Sequence, residues 1–101
     1  MPPAPFEELD PLLHQQLRLA VMSLLLSVED AEFTFLKEQT GATAGNLSVQ
    51  LSKLEEAGYI GITKRFNGKQ PQTRCAITPA GVKAFDAYVA SLQRYLKPGG
   101  N

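Results

Sequence analysis

TAGNLSVQLSKLEEAGY, residues 43–59, is the stretch that decides how this chain folds. Its leucines recur at i, i+4 and i+7, the spacing of an apolar stripe along one face of a helix. Thr43 can cap the N-terminus of such a helix through its hydroxyl, and Gly58 tolerates the positive φ that commonly ends one. The stripe consists of Leu47, Leu51 and Leu54. The stretch therefore predicts a helix that docks on a core through its leucines.

The opposite face of this helix is made mostly of short polar side chains. Its members are Gly45, Asn46, Val49, Ser52, Lys53 and Glu56, with Ser48 and Gln50 on the flanks. A solvated helix of this length usually carries Glu/Lys pairs four residues apart, and such pairs are almost absent here. Asn, Gln and Ser can meet base edges in the DNA major groove, but a polar face is more often only a solvated surface. This face alone is a weak indication of DNA reading.

Composition and charge narrow the possibilities. The chain has 101 residues, of which 44% are hydrophobic and 20% charged, which fits one compact domain. Formal net charge is zero, but residues 1–57 hold three basic against nine acidic side chains, and residues 58–101 hold seven basic against one acidic. Residues 58–78 contain four cations and no acid. The second half of the chain thus carries a local positive patch in a protein that is neutral as a whole.

Two more helices are predicted before residue 43. The first is expected to start at Asp10-Pro11, because Pro is favoured at the first helical position, and to run to about Ser27. The second covers about 34–40 and ends at Gly41 as a left-handed cap. Two helices joined by three or four residues that include Gly form a helix-turn-helix, in which the second helix is the reader.

After the reader helix the apolar period changes from 3.6 to 2, which predicts strands over 59–66 and 74–78. Residues 67–73 between them contain Asn-Gly, a turn signal, so we expect a hairpin with a long basic tip. The inward-facing positions are Ile60, Ile62, Cys75 and Ile77. A short third strand at 32–33 is compatible with the sequence, and the hairpin needs the helices for support because two strands alone are marginal.

The last helix is predicted to begin at Thr78-Pro79 and to run to about Leu96. It carries two apolar stripes, and the first helix is likewise apolar on two sides. Such surplus apolar faces favour a homodimer, with a long terminal helix that closes its own core as the alternative. The residues predicted to form the dimer interface are Leu12, Leu19, Met22, Leu26, Tyr88, Leu92, Tyr95 and Leu96.

Other kinds of site find little support. His14 is the only histidine and Cys75 the only cysteine, so neither a metal cluster nor an intrachain disulfide is expected. We expect a surface histidine and a core cysteine, since a redox-sensitive thiol at Cys75 would have to be exposed beside Arg74. No catalytic residue, cofactor or metal is predicted. A secretory signal and an apolar run long enough to span a bilayer are both absent, which predicts a cytoplasmic protein without membrane contact.

Two segments carry a family resemblance: LKEQTGATAGNLSVQLSKLEEAGYI at 36–60 and TKRFNGKQPQTRCAITPAG at 63–81. Together they resemble the winged helix-turn-helix DNA-binding proteins of the MarR/ArsR type, in particular the small single-domain transcriptional regulators. The resemblance covers about 9–96 and implies an α+β, mostly α fold with a three-helix core, a wing of two or three strands and a long C-terminal helix. We expect an irregular arm over 1–8, a DNA-binding and dimerisation domain over 9–97, and a flexible tail over 98–101.

The resemblance implies a homodimeric, sequence-specific transcriptional regulator that binds a pseudopalindrome of double-stranded DNA with reader helices about 34 Å apart, and repression is the expected mode of action. The reader-helix contacts would be Thr43, Asn46, Ser48, Val49, Gln50, Ser52 and Lys53. The wing contacts would be Lys64, Arg65, Asn67, Lys69 and Arg74. The alternative is a winged-helix protein–protein interaction module without DNA readout. The sequence leaves open the operator, the regulated genes and whether a small-molecule effector binds at the dimer crevice.

Overall fold

The computed structural model describes residues 8–96, which form four helices and a three-stranded antiparallel sheet. In chain order the elements are α1 (Gln16–Leu25), β1 (Ala31–Glu32), α2 (Phe33–Thr40), α3 (Ala44–Glu56), β2 (Ile60–Asn67), β3 (Gln70–Ile77) and α4 (Pro79–Leu96). The predicted winged helix-turn-helix fold is confirmed, including the third strand. The predicted arm over 1–8, apart from Glu8, and the predicted tail over 98–101 lie outside the described residues.

The core lies between α1, α2, α3 and the inner face of the sheet. Its fully buried side chains are Leu13, Val21, Met22, Leu25, Leu36, Leu47, Leu54 and Cys75. All three leucines of the α3 stripe are buried, as predicted, because their helical spacing turns them to the same side. Thr43 caps α3 as predicted, its hydroxyl accepting a hydrogen bond from the backbone N–H of Asn46 at 3.1 Å. The core therefore holds α3 by one face and leaves the other face outside.

The start of α1 differs from the prediction. Asp10 and Pro11 open a separate turn, in which the Asp10 carboxylate accepts from the backbone N–H of Leu12 at 2.9 Å. Gln15 then adopts an extended conformation, with φ −151° and ψ 130°, and its side chain caps α1 by accepting from the backbone N–H of Arg18 at 2.7 Å. The cap at Gln15 ends the turn and starts the helix, so α1 begins at Gln16 rather than at Pro11.

The hairpin is longer and its tip tighter than predicted. The strand order is β1-β3-β2, and pairing between β2 and β3 continues to Asn67 opposite Gln70. Only Gly68 and Lys69 remain in the loop, so the expected long basic tip is wrong. Gly68 has φ 63° whereas Lys69 does not have a positive φ, and a positive φ at the first loop position alone is characteristic of a type II′ turn. Pro71 is tolerated within β3 because β1 pairs only nearer the base, leaving one edge of β3 open there.

The beginning of α4 is fixed against the start of the hairpin. A Cβ on Gly81 would lie 2.1 Å from the carbonyl oxygen of Tyr59, so only glycine allows this approach. Further along α4, Tyr88 is 4% exposed, and its hydroxyl lies 2.9 Å from Nδ1 of His14. The inner face of α4 therefore packs on its own protomer, and Val82, Val89 and Leu96 are exposed on the outer face.

Two residues assigned to the dimer interface belong instead to the interior of the protomer. Met22 is fully buried in the core, and Tyr88 is covered by the contact with His14. The helical projection placed both on surplus stripes because it could not show which stripe faces the core. The other predicted interface residues, which are Leu12, Leu19, Leu26, Leu92, Tyr95 and Leu96, are partly or largely exposed.

Candidate nucleic-acid interface

The outward face of α3 is a ridge of small side chains. The predicted contact residues Thr43, Asn46, Ser48, Val49, Ser52 and Lys53 are all exposed. Val49 has 52% of its surface accessible although it is apolar. Short hydroxyl, amide and methyl groups on such a ridge allow the helix backbone to come close to a groove and still leave hydrogen-bonding groups at its surface. The geometry of α3 thus suits the role that the sequence assigned to it, except at Gln50.

Gln50 points inward rather than outward. It is 8% exposed, its Oε1 accepts a hydrogen bond from a guanidinium nitrogen of Arg18, and its Nε2 donates to Oδ1 of Asn46 at 3.0 Å. The expectation that Gln50 lies on the outer flank is therefore wrong. The sequence spacing could have shown this orientation. Gln50 stands three residues after Leu47 and four before Leu54, and this spacing places it on the same inner face of the helix.

Arg18 is the residue of this region that the sequence reading missed. It is a cation on α1 with 9% exposure, and its Nε donates to the backbone carbonyl of Leu12 at 2.6 Å. Burying a charge is costly unless it is hydrogen-bonded, and here the donors meet neutral oxygens of Leu12 and Gln50. The sequence could have indicated its inward position, because Arg18 stands three residues before Val21 and four before Met22, both of which are core residues on the same helix face.

The wing, β2 and β3 with their turn, presents cations at its tip. Lys64, Arg65 and Lys69 are exposed, and within residues 8–96 no carboxylate lies within ion-pair distance of them. Asn67, which begins the turn, is exposed as well. Phe66 is 74% exposed and stands opposite Pro71. Because α3 packs against β2, the helix that carries the ridge and the wing that carries the cations belong to one continuous structure.

Arg74, in contrast to the other wing cations, is engaged in ion pairs with two carboxylates. Its guanidinium hydrogen-bonds the carboxylate of Asp30 and lies 3.5 Å from a carboxylate oxygen of Glu32. The hydrogen bond from Arg74 holds the pKa of Asp30 below its ordinary value. The two acids reach Arg74 because β1 pairs with β3 in a register that sets Glu32 directly opposite it. The prediction that Arg74 is available for phosphate contact is corrected accordingly.

The remaining candidates behave as structural groups. Cys75 is fully buried at the base of the wing, and burial raises the pKa of its thiol to about 11, so the thiol is protonated near neutral pH. His14 is exposed but engaged with Tyr88. In the part of the chain that the structure describes, no three His, Cys, Asp or Glu side chains come together as metal ligands. None of the described helices is both long and apolar enough to cross a membrane.

These features define a class of protein. A helix-turn-helix whose second helix offers an exposed polar ridge, followed by a hairpin with a cationic tip that belongs to a three-stranded sheet, is a winged helix-turn-helix domain. The sequence pattern of one family matches residues 17–96, and its description is winged helix DNA-binding domain. The chain belongs to this family.

Similar proteins agree with this assignment. An uncharacterized protein from Methanocaldococcus jannaschii is 35% identical over 80 residues, covering 79% of this chain and 87% of that protein. The structure of a transcriptional regulator homologue from Pyrococcus horikoshii superposes with a TM-score of 0.81 at 26% identity, covering 89% of each chain. A mutant of MarR from E. coli, complexed with operator DNA, superposes with a TM-score of 0.71 at 17% identity, covering 85% of this chain and 61% of that one. The last likeness is one of fold alone.

Proposed function

We propose that this protein is a sequence-specific, DNA-binding transcriptional regulator that acts as a homodimer on a pseudopalindromic site and has no catalytic activity. The observation that carries the proposal is the exposed small-residue ridge of α3 in the same domain as a wing whose tip cations have no carboxylate partner among the described residues. A ridge of this kind without a cationic neighbour is an ordinary solvated surface. A cationic tip alone gives charge without base contacts, so the combination is what matters.

In this proposal the α3 ridge contacts the bases and the wing tip contacts the phosphates. Asn46, Ser48 and Ser52 offer hydrogen bonds to base edges or phosphates, and Val49 offers an apolar contact to a thymine methyl. Phosphate contacts come from Lys53 on α3 together with the wing-tip cations Lys64, Arg65 and Lys69. With four phosphate contacts in each protomer, log K for a dimer should fall with log salt concentration with a slope of about −7.

The dimer would be formed by the outer face of α4. Val82, Val89 and Leu96 stand seven residues apart and are exposed on one stripe. A helix stripe with this spacing is the kind that pairs with a second copy of itself, and an uncovered apolar stripe is unfavourable in water. Leu26, at the end of α1, is also 40% exposed. A twofold dimer can present two α3 helices to successive major grooves about 34 Å apart.

We propose repression as the mode of action, since occupying an operator needs no surface beyond those just described. The fold shared with a MarR protein that was solved on operator DNA supports a DNA partner for this chain. No cofactor or metal enters the proposal. The protein-interaction alternative has one observation in its favour, which is the exposure of Phe66.

The test is the selection of bound duplexes from a random pool, followed by affinity measurements on the selected site at several salt concentrations. The proposal expects an inverted repeat with half-site centres one helical turn apart and the steep salt dependence given above. A pool without enrichment, together with affinity that hardly responds to salt, would contradict DNA recognition. In that case the protein-interaction alternative would be tested, and Phe66→Ser would be the first variant whose binding to partner proteins is compared with that of the parent.

A further inference from the structure

A chain of hydrogen bonds leads from the interior of the protein to the α3 ridge. It starts at Arg18, 9% exposed, passes through Gln50, 8% exposed, and ends at the exposed Asn46. Arg18 is anchored at the other end by its 2.6 Å bond to the Leu12 carbonyl. The three side chains link α1 to the reader helix by contacts that the apolar core does not provide.

The polarity of this chain is forced by its first member. A guanidinium has only donors, so the atom of Gln50 that meets Arg18 must be the amide oxygen. The Gln50 NH₂ group is then the end that faces Asn46, and it requires an acceptor there, which is Oδ1. Consequently, a flip of the Asn46 amide would place its NH₂ group against the NH₂ group of Gln50, where two donors would face each other without an acceptor. Its NH₂ group is the end left for an outside partner.

We propose that Arg18 and Gln50 are positioning residues that fix the Asn46 amide with its NH₂ directed away from the core, so that it selects a hydrogen-bond acceptor on DNA. This rests on the proposed function, in which α3 reads the major groove. In that groove guanine and thymine present keto oxygens, adenine presents the acceptor N7 beside its amino group, and cytosine presents an amino group alone. At the position facing Asn46, the protein therefore prefers a keto base, guanine or thymine, over cytosine, and adenine is accepted only through N7.

Gln50→Glu tests the proposal because it reverses the polarity of the chain with little change of shape. The new carboxylate has only acceptors, so it can pair with Arg18 and demands the NH₂ of Asn46. The Asn46 amide then turns over and exposes its oxygen. Binding to duplexes that carry each of the four base pairs at each position should show the preference at one position per half-site change from keto to amino, about tenfold.

Two controls separate positioning from other effects. Gln39→Glu makes the same chemical change at an exposed position of α2 and should leave the base preference as it is. In an Asn46→Ala background, Gln50→Glu should no longer alter the preference, because it acts only through Asn46. A folded Gln50→Glu protein that keeps the keto preference, or that changes it equally without Asn46, would overturn the proposal.

The double variant Arg18→Met/Gln50→Met provides a second test in case Gln50→Glu does not fold. Replacing both buried partners by apolar side chains of similar length leaves neither of them unpaired, which is far less costly than removing one. Asn46 is then free to adopt either orientation, and discrimination between keto and amino bases should fall about tenfold. Circular dichroism would confirm folding. Unchanged discrimination in the folded double variant would count against the proposal.

A measurement without DNA tests the orientation of the Asn46 amide separately from the proposed function. Exchange of side-chain amide protons, followed by ¹⁵N NMR on the full chain, should be slow for Gln50 and fast for Asn46 in the parent. Gln50→Glu should slow exchange of the Asn46 NH₂ protons. Slow Asn46 exchange in the parent would refute the orientation itself, whereas a correct exchange pattern without any selected DNA site would refute only the DNA-reading function.

Discussion

The reader helix and the wing tip differ in how firmly their polar groups are held. On α3, Asn46 is tied through Gln50 to a buried arginine, and the helix itself is anchored by three core leucines. At the wing tip, Lys64 and Arg65 extend into solvent without a carboxylate partner among the described residues. Base recognition needs fixed donors and acceptors, whereas phosphate attraction needs only charge within a Debye length. If the proposed function holds, we expect specificity to come from α3 and general affinity from the wing.

The largest effect should come from removing the charge of the wing tip. Lys64→Ala/Arg65→Ala/Lys69→Ala takes six cations from a dimer, so the salt slope should drop from about −7 to about −2. Affinity at moderate salt should fall by at least about a hundredfold on selected and random duplexes alike, because the lost contacts carry no sequence information. Fluorescence anisotropy at several salt concentrations measures both quantities.

Lys83→Ala is the control for that experiment, since it removes an exposed cation from α4, away from the wing. It should leave the salt slope close to that of the parent. If the triple variant lost affinity only for the selected site, the division between a charge-bearing wing and a reading helix would be wrong.

A smaller but more selective effect is expected from Asn46→Ala. The affinity for the selected site should fall about tenfold, while the affinity for random duplexes and the salt slope stay unchanged. Competition binding with both duplexes in one titration gives the ratio directly. An equal loss on both would place Asn46 on the phosphate backbone and weaken the contrast between the two regions.

The local parts of this interface could be predicted from the sequence, and the long-range parts could not. The leucine stripe, the Thr43 cap and the left-handed turn at Gly41 depend on neighbours within one helical turn, and all are found. The partner of Gln50 is 32 residues away on α1, and no local pattern reveals it. Without knowledge of Arg18 as a buried partner, the polar side chain of Gln50 is predicted to face solvent.

The wing illustrates the same limit. Alternation correctly turned Ile60 and Cys75 inward, because period 2 is a property of the strand itself. The acids that neutralise Arg74 are Glu32 in β1 and Asp30 just before it, and Asp30 lies 44 residues earlier in the chain. Pairing between β1 and β3 brings them together, and charge counted along the hairpin alone missed it.

Releasing Arg74 should therefore make the base of the wing behave like its tip. Asp30→Asn removes the carboxylate that holds the guanidinium, so a dimer gains up to two phosphate contacts and the salt slope should steepen by about 2. Affinity for random duplexes should rise several-fold. Asp86→Asn on α4 removes the same charge without touching Arg74 and should steepen the slope far less. No difference between the two variants would mean that Arg74 stays engaged by Glu32.

The smallest effect near neutral pH concerns the base of the wing, where Cys75 tests whether mobility is confined to the tip. Its thiol ionises at about 11 in the folded protein against an ordinary 9.0, so the unfolded chain loses the proton first as pH rises. Stability should then be unaffected at pH 7 to 8 and should decline between pH 9 and 11 by up to about 1.4 kcal/mol per pH unit.

Urea unfolding of the parent and of Cys75→Ala at several alkaline pH values isolates this contribution, because other groups titrate in both proteins. The parent should lose more stability than the variant over that pH range, and its thiol should react with a thiol reagent only on unfolding. Equal pH dependence, or rapid labelling of the folded protein, would mean that the wing opens at its base. In that case the wing would be mobile as a whole, and its cations could not be assigned a fixed position beside α3.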